Sequence, residues 1–223
     1  MPVKKSDVVL KVNGKDAKAY LVVPEHGGPG ILLLHAWWGL KPFFKEVCDQ
    51  IAGEGYVVLA PDMRDGQIAR TVEEAEALHQ KSDEKRTGDI VAAARDYLLA
   101  LPSRTGGKIG VIGFSMGAQW ALVTAAGVPE QVAAAVLFYG AGDADFSVMK
   151  ARVMGHFSDI DEWESYDWVK QMASKMQAAG VDITLHTYLG KQHWFVEEDR
   201  PEFDPESARL AWERTFEFLK STL

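Results

Sequence analysis

A chain of 223 residues, 47% of them hydrophobic, is long enough to bury a large core and fits one α/β domain spanning residues 1–223. Its formal charge of -8 argues against nucleic acid or an acidic membrane surface as a partner, since both call for clustered Lys and Arg. One cysteine precludes an internal disulfide, no basic N-terminal segment leads a long apolar run, and no apolar stretch approaches the roughly 18 residues of a membrane span, so the expectation is a cytoplasmic protein.

Val8 to Val12 and Ala17 to Val23, separated by Asn13 and Gly14, alternate and predict an antiparallel hairpin at a sheet edge. GILLLH, residues 30–35, is apolar on both faces, as a central strand covered by helices requires. Lys41 to Gly53 has helical periodicity and contains Cys48 as a small core residue; Tyr56 to Ala60 is a further buried strand, closed by Pro61 and Asp62. The polar stretch from Met63 to Glu84 predicts a loop with a short helix over Thr71 to Gln80, and Asp89 to Leu101 predicts a helix ending before Pro102. Val132 to Tyr139 and Ala151 to Phe157 are strands, Tyr166 to Ala179 a helix ending at Gly180, and Asp182 to Tyr188 the last strand. Pro205 to Lys220 closes the chain as an amphipathic helix expected to dock through Leu210, Phe216 and Leu219. Strands alternating with helices throughout predict a mostly parallel, doubly wound sheet flanked by helices on both faces, with sites at the carboxyl ends of strands.

The most informative stretch is KIGVIGFSMGAQWA, residues 108–121. A buried strand runs into GFSMG and directly on into the helix Ala118 to Ala126, with Gly113 and Gly117 flanking Ser115 where side chains would collide with backbone. This is the nucleophile-elbow pattern; the alternative is a turn whose serine only caps the helix.

A serine hydroxyl needs a histidine to take its proton, and that imidazole needs a carboxylate to fix its tautomer. Of six histidines, His26, His79 and His186 lie in a glycine-rich loop, a charged helix and an alternating strand, where structural or solvated roles fit better. His156 is the main competitor. His193, in GKQHWF after the last strand and before the closing helix, can reach over the sheet's carboxyl edge. Asp159, Asp161 and Glu162 all follow the strand that ends at Phe157; Asp161 is preferred because SDID leaves room for the chain to turn, with Asp159 open as the alternative. Asp143 and Asp145 suit loop or capping roles. The Met116 amide, next after the serine, supplies one oxyanion donor, and the loop HAWWGL supplies the second, assigned to the Trp37 amide. Trp38, Trp194 and Phe195 are candidate walls of a largely apolar substrate pocket, with core packing as the alternative. No metal or cofactor is called for.

HAWWGL, GYVVLAPDM, GKIGVIGFSMG, VLFYG, GHFSDIDEW and GKQHWF together resemble the dienelactone hydrolase family of the α/β-hydrolase superfamily over nearly the whole chain. The resemblance implies the α/β-hydrolase fold, Ser115, Asp161 and His193 as a triad, and the Trp37 and Met116 amides as the oxyanion hole. It also implies a small carboxylic ester or lactone as the substrate, cleaved through an acyl-enzyme. Founding members of that family carry cysteine at the elbow, with a glutamate in the loop where this chain has Ala36. A serine paired with a histidine base needs no such thiolate switch. Those members also hold a substrate carboxylate with arginines, one of them shortly after the histidine, where this chain has Glu197. An anionic lactone would be repelled there unless Arg200 or Arg64 compensates, so an ester other than dienelactone itself is expected. A thioesterase or small peptidase uses the same machinery, and a non-catalytic small-ligand-binding protein can share the fold.

Overall fold

The computed structural model describes residues 2–223. By internal contacts the chain divides into two compact units, residues 1–109 and 110–223. The eight strands run in the order β1-β2-β4-β3-β5-β6-β7-β8, a mostly parallel sheet.

In the first unit, β1 (Val3–Val12) and β2 (Lys15–Pro24) form the predicted antiparallel hairpin, each longer than its alternation suggested. The turn residues Asn13 and Gly14 both have positive φ, 49° and 79°, the combination that matches the twist of a two-residue hairpin. β2 then pairs antiparallel with β4 (Val57–Pro61), which pairs parallel with β3 (Gly28–Leu34). Ile31 to Leu34 have no exposed surface, and each such side chain contributes about 1.5–3 kcal/mol by leaving water. Helix α1 (Pro42–Gly53) starts on Pro42, whose fixed φ suits a first turn, and buries Phe44, Val47, Cys48 and Ile51. Burial also pushes the Cys48 thiol pKa up, consistent with a core residue. Thr71 caps α2 (Val72–Gln80) by accepting from the Glu74 amide.

Helix α3 (Glu84–Ala100) begins earlier than the expected Asp89. Asp83 accepts from the Arg86 amide, so a cap followed by a charged first turn starts a helix that its apolar periodicity alone does not reveal.

The strand β5 (Arg104–Phe114) leads into the second unit, where helix α4 (Met116–Gly127) follows it after the single residue Ser115. β6 (Val132–Phe138), β7 (Arg152–Ser158) and β8 (Ile183–Tyr188) are parallel neighbours. Helix α5 (Tyr166–Ala178) is capped by Ser165 and packs on β8, while α6 (Pro205–Thr222) is capped by Asp204 and packs on β6 and β7. The buried stripe of α6 is Ser207, Ala208, Ala211, Trp212, Thr215, Phe218 and Leu219. Of the three expected docking residues only Leu219 belongs to it; Leu210 and Phe216 sit at its margins, because the aromatic Trp212 rather than Leu210 turns inward. No helix among the described residues is long and apolar enough to cross a membrane.

Candidate active site

Ser115 has φ 50° and ψ -116°, a conformation costly for a residue with a side chain. Its amide donates to Phe138 O at 2.9 Å and its carbonyl accepts from the Ala118 amide at 2.8 Å, pinning the elbow between β6 and α4. Glycine is required at two places around it. A Cβ on Gly113 would lie 2.2 Å from Gly117 O, and one on Gly140 would lie 2.3 Å from Ser115 O. The sequence pointed to the first; the second, in the loop after β6, is visible only in three dimensions.

The elbow presents Ser115 Oγ 3.0 Å from His193 Nε2. On the other side of the imidazole, His193 Nδ1 lies 2.8 Å from Asp161 Oδ2 and 3.0 Å from Oδ1. The histidine and aspartate side chains are only 4% and 3% exposed, so the pair is shielded from competing water. Nδ1 facing a carboxylate carries the ring proton, which leaves Nε2 as the acceptor turned toward the serine hydroxyl.

Asp161 is itself held firmly. Oδ1 accepts from the Trp163 amide at 2.9 Å and the Glu164 amide at 2.8 Å, and Oδ2 accepts from Ser158 Oγ at 3.2 Å. Asp159 is turned elsewhere: its Oδ1 accepts from the Gly190 amide at 2.6 Å and so closes the turn after β8. Glu164 ties the same acid loop to the loop after β6 by accepting from the Ala141 amide at 2.8 Å. Burial raises the Glu164 pKa, opposed in part by that amide and by His193.

Beneath His193 lies a residue that sequence reasoning passed over. Tyr139, with φ 39° and no exposed surface, meets the imidazole edge-on at a centroid distance of 4.9 Å. Its hydroxyl donates to Glu197 Oε1 at 2.8 Å. Glu197 is therefore a fully buried partner of Tyr139. The signal for Tyr139 was present in VLFYG, but nothing in one sequence says that its ring sits under the histidine.

The candidate pocket residues divide. Trp194 (φ 62°) packs at a right angle against His193, 4.9 Å between rings, and lines a cleft with Trp163. Phe195 has no exposed surface and lies between Tyr139 and Tyr188, and Trp38 is buried in the first unit with Lys41 Nζ 5.3 Å above its ring. Trp37 follows the end of β3 in the first unit, and Met116 opens α4, where the first amides lack carbonyl acceptors within the helix. The competitor His156 is fully buried between the Tyr188 and Thr215 hydroxyls, each at 2.9 Å, and desolvation holds its pKa well below the ordinary imidazole value. Among the described residues no group of three or more His, Cys, Asp or Glu side chains is placed to hold a metal ion.

A mostly parallel sheet whose strand β5 turns through a strained serine into a helix, with a histidine and a carboxylate delivered from later strand ends, defines an α/β-hydrolase fold. The dienelactone hydrolase family model matches residues 17–223. The protein named usf from Aquifex pyrophilus is 33% identical over 226 residues, covering 97% of this chain and 98% of its own. A carboxymethylenebutenolidase from Pseudomonas sp. (strain P51) is 31% identical over 216 residues, covering 91% of this chain and 89% of its own. A solved dienelactone hydrolase-like promiscuous phosphotriesterase from metagenomic libraries superposes with a TM-score of 0.88 at 19% identity, over 100% of this chain and 99% of that one. The chain belongs to the dienelactone hydrolase family, a family of hydrolases.

Proposed function

We propose that this hydrolase cleaves a small carboxylic ester or lactone by serine acyl transfer, with Ser115 as nucleophile, His193 as base and acid, and Asp161 as the group that orients His193. One observation carries the reading: the serine hydroxyl, imidazole and carboxylate stand in a single line of contacts at 3.0 and 2.8 Å. The Oγ–H proton passes to His193 Nε2 as Oγ bonds to the carbonyl carbon. The tetrahedral oxyanion is met by the Met116 amide at the positive end of α4 and by a second donor, assigned to the Trp37 amide in the HAWWGL loop that follows β3. The C–O bond to the alcohol then breaks, and Nε2–H protonates the departing oxygen. Water repeats the sequence: its proton goes to Nε2, its oxygen bonds to the acyl carbon, and Ser115 recovers its proton as the acid leaves. Trp194 supports a role in substrate contact through its place beside His193. The cytoplasmic reading is supported by the single cysteine, Cys48, which can form no internal disulfide.

Ser115→Ala tests the assignment. Turnover of p-nitrophenyl acetate is expected to fall at least about 10³-fold with unfolding unchanged. A variant with wild-type turnover would overturn it.

A further inference from the structure

Past Leu34 the chain leaves β3, and the sheet no longer sets the direction of each peptide group in the loop HAWWGL. The peptide between Ala36 and Trp37 matters most there, because its N–H is the second oxyanion donor in the mechanism above. It is held from its other end. Peptide bonds among the described residues are all trans, so the Ala36 carbonyl and the Trp37 N–H lie in one plane and point opposite ways. Fixing the one therefore aims the other. Ala36 O lies 2.6 Å from His35 Nδ1, while the Gly39 amide approaches the same oxygen only to 3.4 Å.

The other ring nitrogen decides the tautomer of His35. Nε2 lies 3.0 Å from the Met63 amide nitrogen, which can only donate, so Nε2 is the bare acceptor and the ring proton sits on Nδ1, facing Ala36 O. Burial with no exposed surface lowers the His35 pKa to about 4, which keeps the ring neutral and that acceptor in place at neutral pH. The imidazole thus bridges the turn after β4 to the carbonyl of one peptide. The same turn supports the rest of the loop. The Ala69 amide donates to Trp38 O at 2.9 Å, and Gly39, with φ 90°, passes so near that a Cβ would collide with Gln67 O. Asp62 braces the turn by accepting from the Arg64 and Gly66 amides at 3.0 and 2.6 Å.

We propose that His35 is a positioning residue for acyl transfer: by donating Nδ1–H to Ala36 O it sets the direction in which the Trp37 N–H is offered to the oxyanion. The inference rests on the serine-hydrolase reading above, with Trp37 as the second donor. His35 passes no proton to the substrate and acts only through the peptide it holds. A donor fixed before the substrate arrives need not reorganise as charge develops, which is the condition for its full effect.

Two substitutions divide the functions of the ring. His35→Asn puts an amide N–H near the Nδ1 position and can still donate to Ala36 O, but it leaves the Met63 amide without its acceptor. His35→Gln reaches the Nε2 position and can still accept from Met63, but it loses the donor to Ala36 O. Each gives up one buried hydrogen bond, so similar falls in the urea midpoint are expected, and a merely structural histidine would make the kinetics similar too. With p-nitrophenyl acetate, His35→Gln should lose about 10²-fold in kcat with KM within about threefold, whereas His35→Asn should stay within about tenfold of wild type. Equal kcat in the two variants, or a loss expressed in KM alone, overturns the proposal. Two measurements do not depend on turnover. Nitrogen NMR of the wild-type His35 ring should show a neutral imidazole protonated at Nδ1; a proton on Nε2 overturns the proposal without any variant. Crystal structures should show the Ala36–Trp37 peptide keeping its direction in His35→Asn and turning in His35→Gln. A peptide unmoved in His35→Gln refutes His35 as its anchor. A turned peptide with unchanged kcat instead refutes Trp37 as the oxyanion donor, and the proposal falls with that reading.

Discussion

Asp161→Asn is a sharp test because the environment of Asp161 dictates how an amide must lie. Oδ1 accepts two backbone N–H groups, from Trp163 and Glu164, at 2.9 and 2.8 Å. An amide nitrogen placed there would point its hydrogens at two donors. The asparagine oxygen is therefore forced into the Oδ1 position, and its NH₂ takes the Oδ2 position, facing His193 Nδ1 and Ser158 Oγ. A donor opposite Nδ1 fixes the imidazole with its proton on Nε2, the wrong tautomer to accept from Ser115, while both loop-fixing backbone bonds survive. The expected loss is about 10⁴-fold in kcat, or about 5.4 kcal/mol of transition-state stabilisation. Stability should change by no more than about 1 kcal/mol. Kinetics on p-nitrophenyl acetate and urea unfolding of the same preparations measure both. Asp159→Asn, which can keep its bond from the Gly190 amide, is the control and should stay within about threefold of wild type. If Asp161→Asn keeps more than about a tenth of the activity, or Asp159→Asn falls as far, the orienting role of Asp161 is refuted.

Two further outcomes follow from burial and close approach. His35 is fully buried, with Nδ1 2.6 Å from Ala36 O and Nε2 accepting from the Met63 amide at 3.0 Å, and desolvation lowers its pKa from 6.5 to about 4. A histidine with a depressed folded pKa binds fewer protons than the unfolded chain between those values. Its contribution is therefore full above pH 6.5 and lost as the pH falls toward 4, by about 3 kcal/mol at the limit. Urea unfolding at pH 7 and pH 4.5 should show His35→Gln less stable at neutral pH but with a shallower pH dependence than wild type; equal slopes would count against the neutral buried imidazole. Gly140→Ala drives a methyl to 2.3 Å from Ser115 O, so it should cost about 3 kcal/mol or more and most of the turnover. A near-normal unfolding midpoint would show that the elbow can give way there.

Legibility in the sequence followed the physics of each signal. Buried parallel strands such as Ile31 to Leu34 announce themselves as unbroken apolar runs, and the glycine-flanked serine between a strand and an alanine-rich helix has few competing explanations. The start of α3 was missed because Asp83 and Glu84 to Thr87 form a charged, capped turn without apolar periodicity. Choosing Asp161 over Asp159 from spacing left both open. The distinction lies in which backbone amides each carboxylate meets, Trp163 and Glu164 or Gly190, and those are properties of loops. The burial of Glu197 was unreadable for a related reason: its neighbour in space is Tyr139, 58 positions away in the chain.

The strain in the second unit also argues for a site built as one piece. Outside glycine, positive φ occurs there at Ser115, Tyr139 and Trp194, while Asn13 and Asp65 of the first unit are residue types that tolerate it in turns. Each of the three stands just past a strand or beside His193, and each is tied to its neighbour. The Ser115 amide bonds to Phe138 O, the Tyr139 amide to His156 O, and the Glu197 amide to Trp194 O. Conformations that each cost on the order of 1–3 kcal/mol persist only where the surroundings over-determine them. Here the surroundings are the apolar strands β5 to β7 and the Tyr139–Glu197 bond, which returns the histidine loop to the end of β6. The contacts that fix the elbow and the histidine loop, and with them the 3.0 Å approach of Ser115 Oγ to His193 Nε2, are thus made to the ends of the core strands beneath.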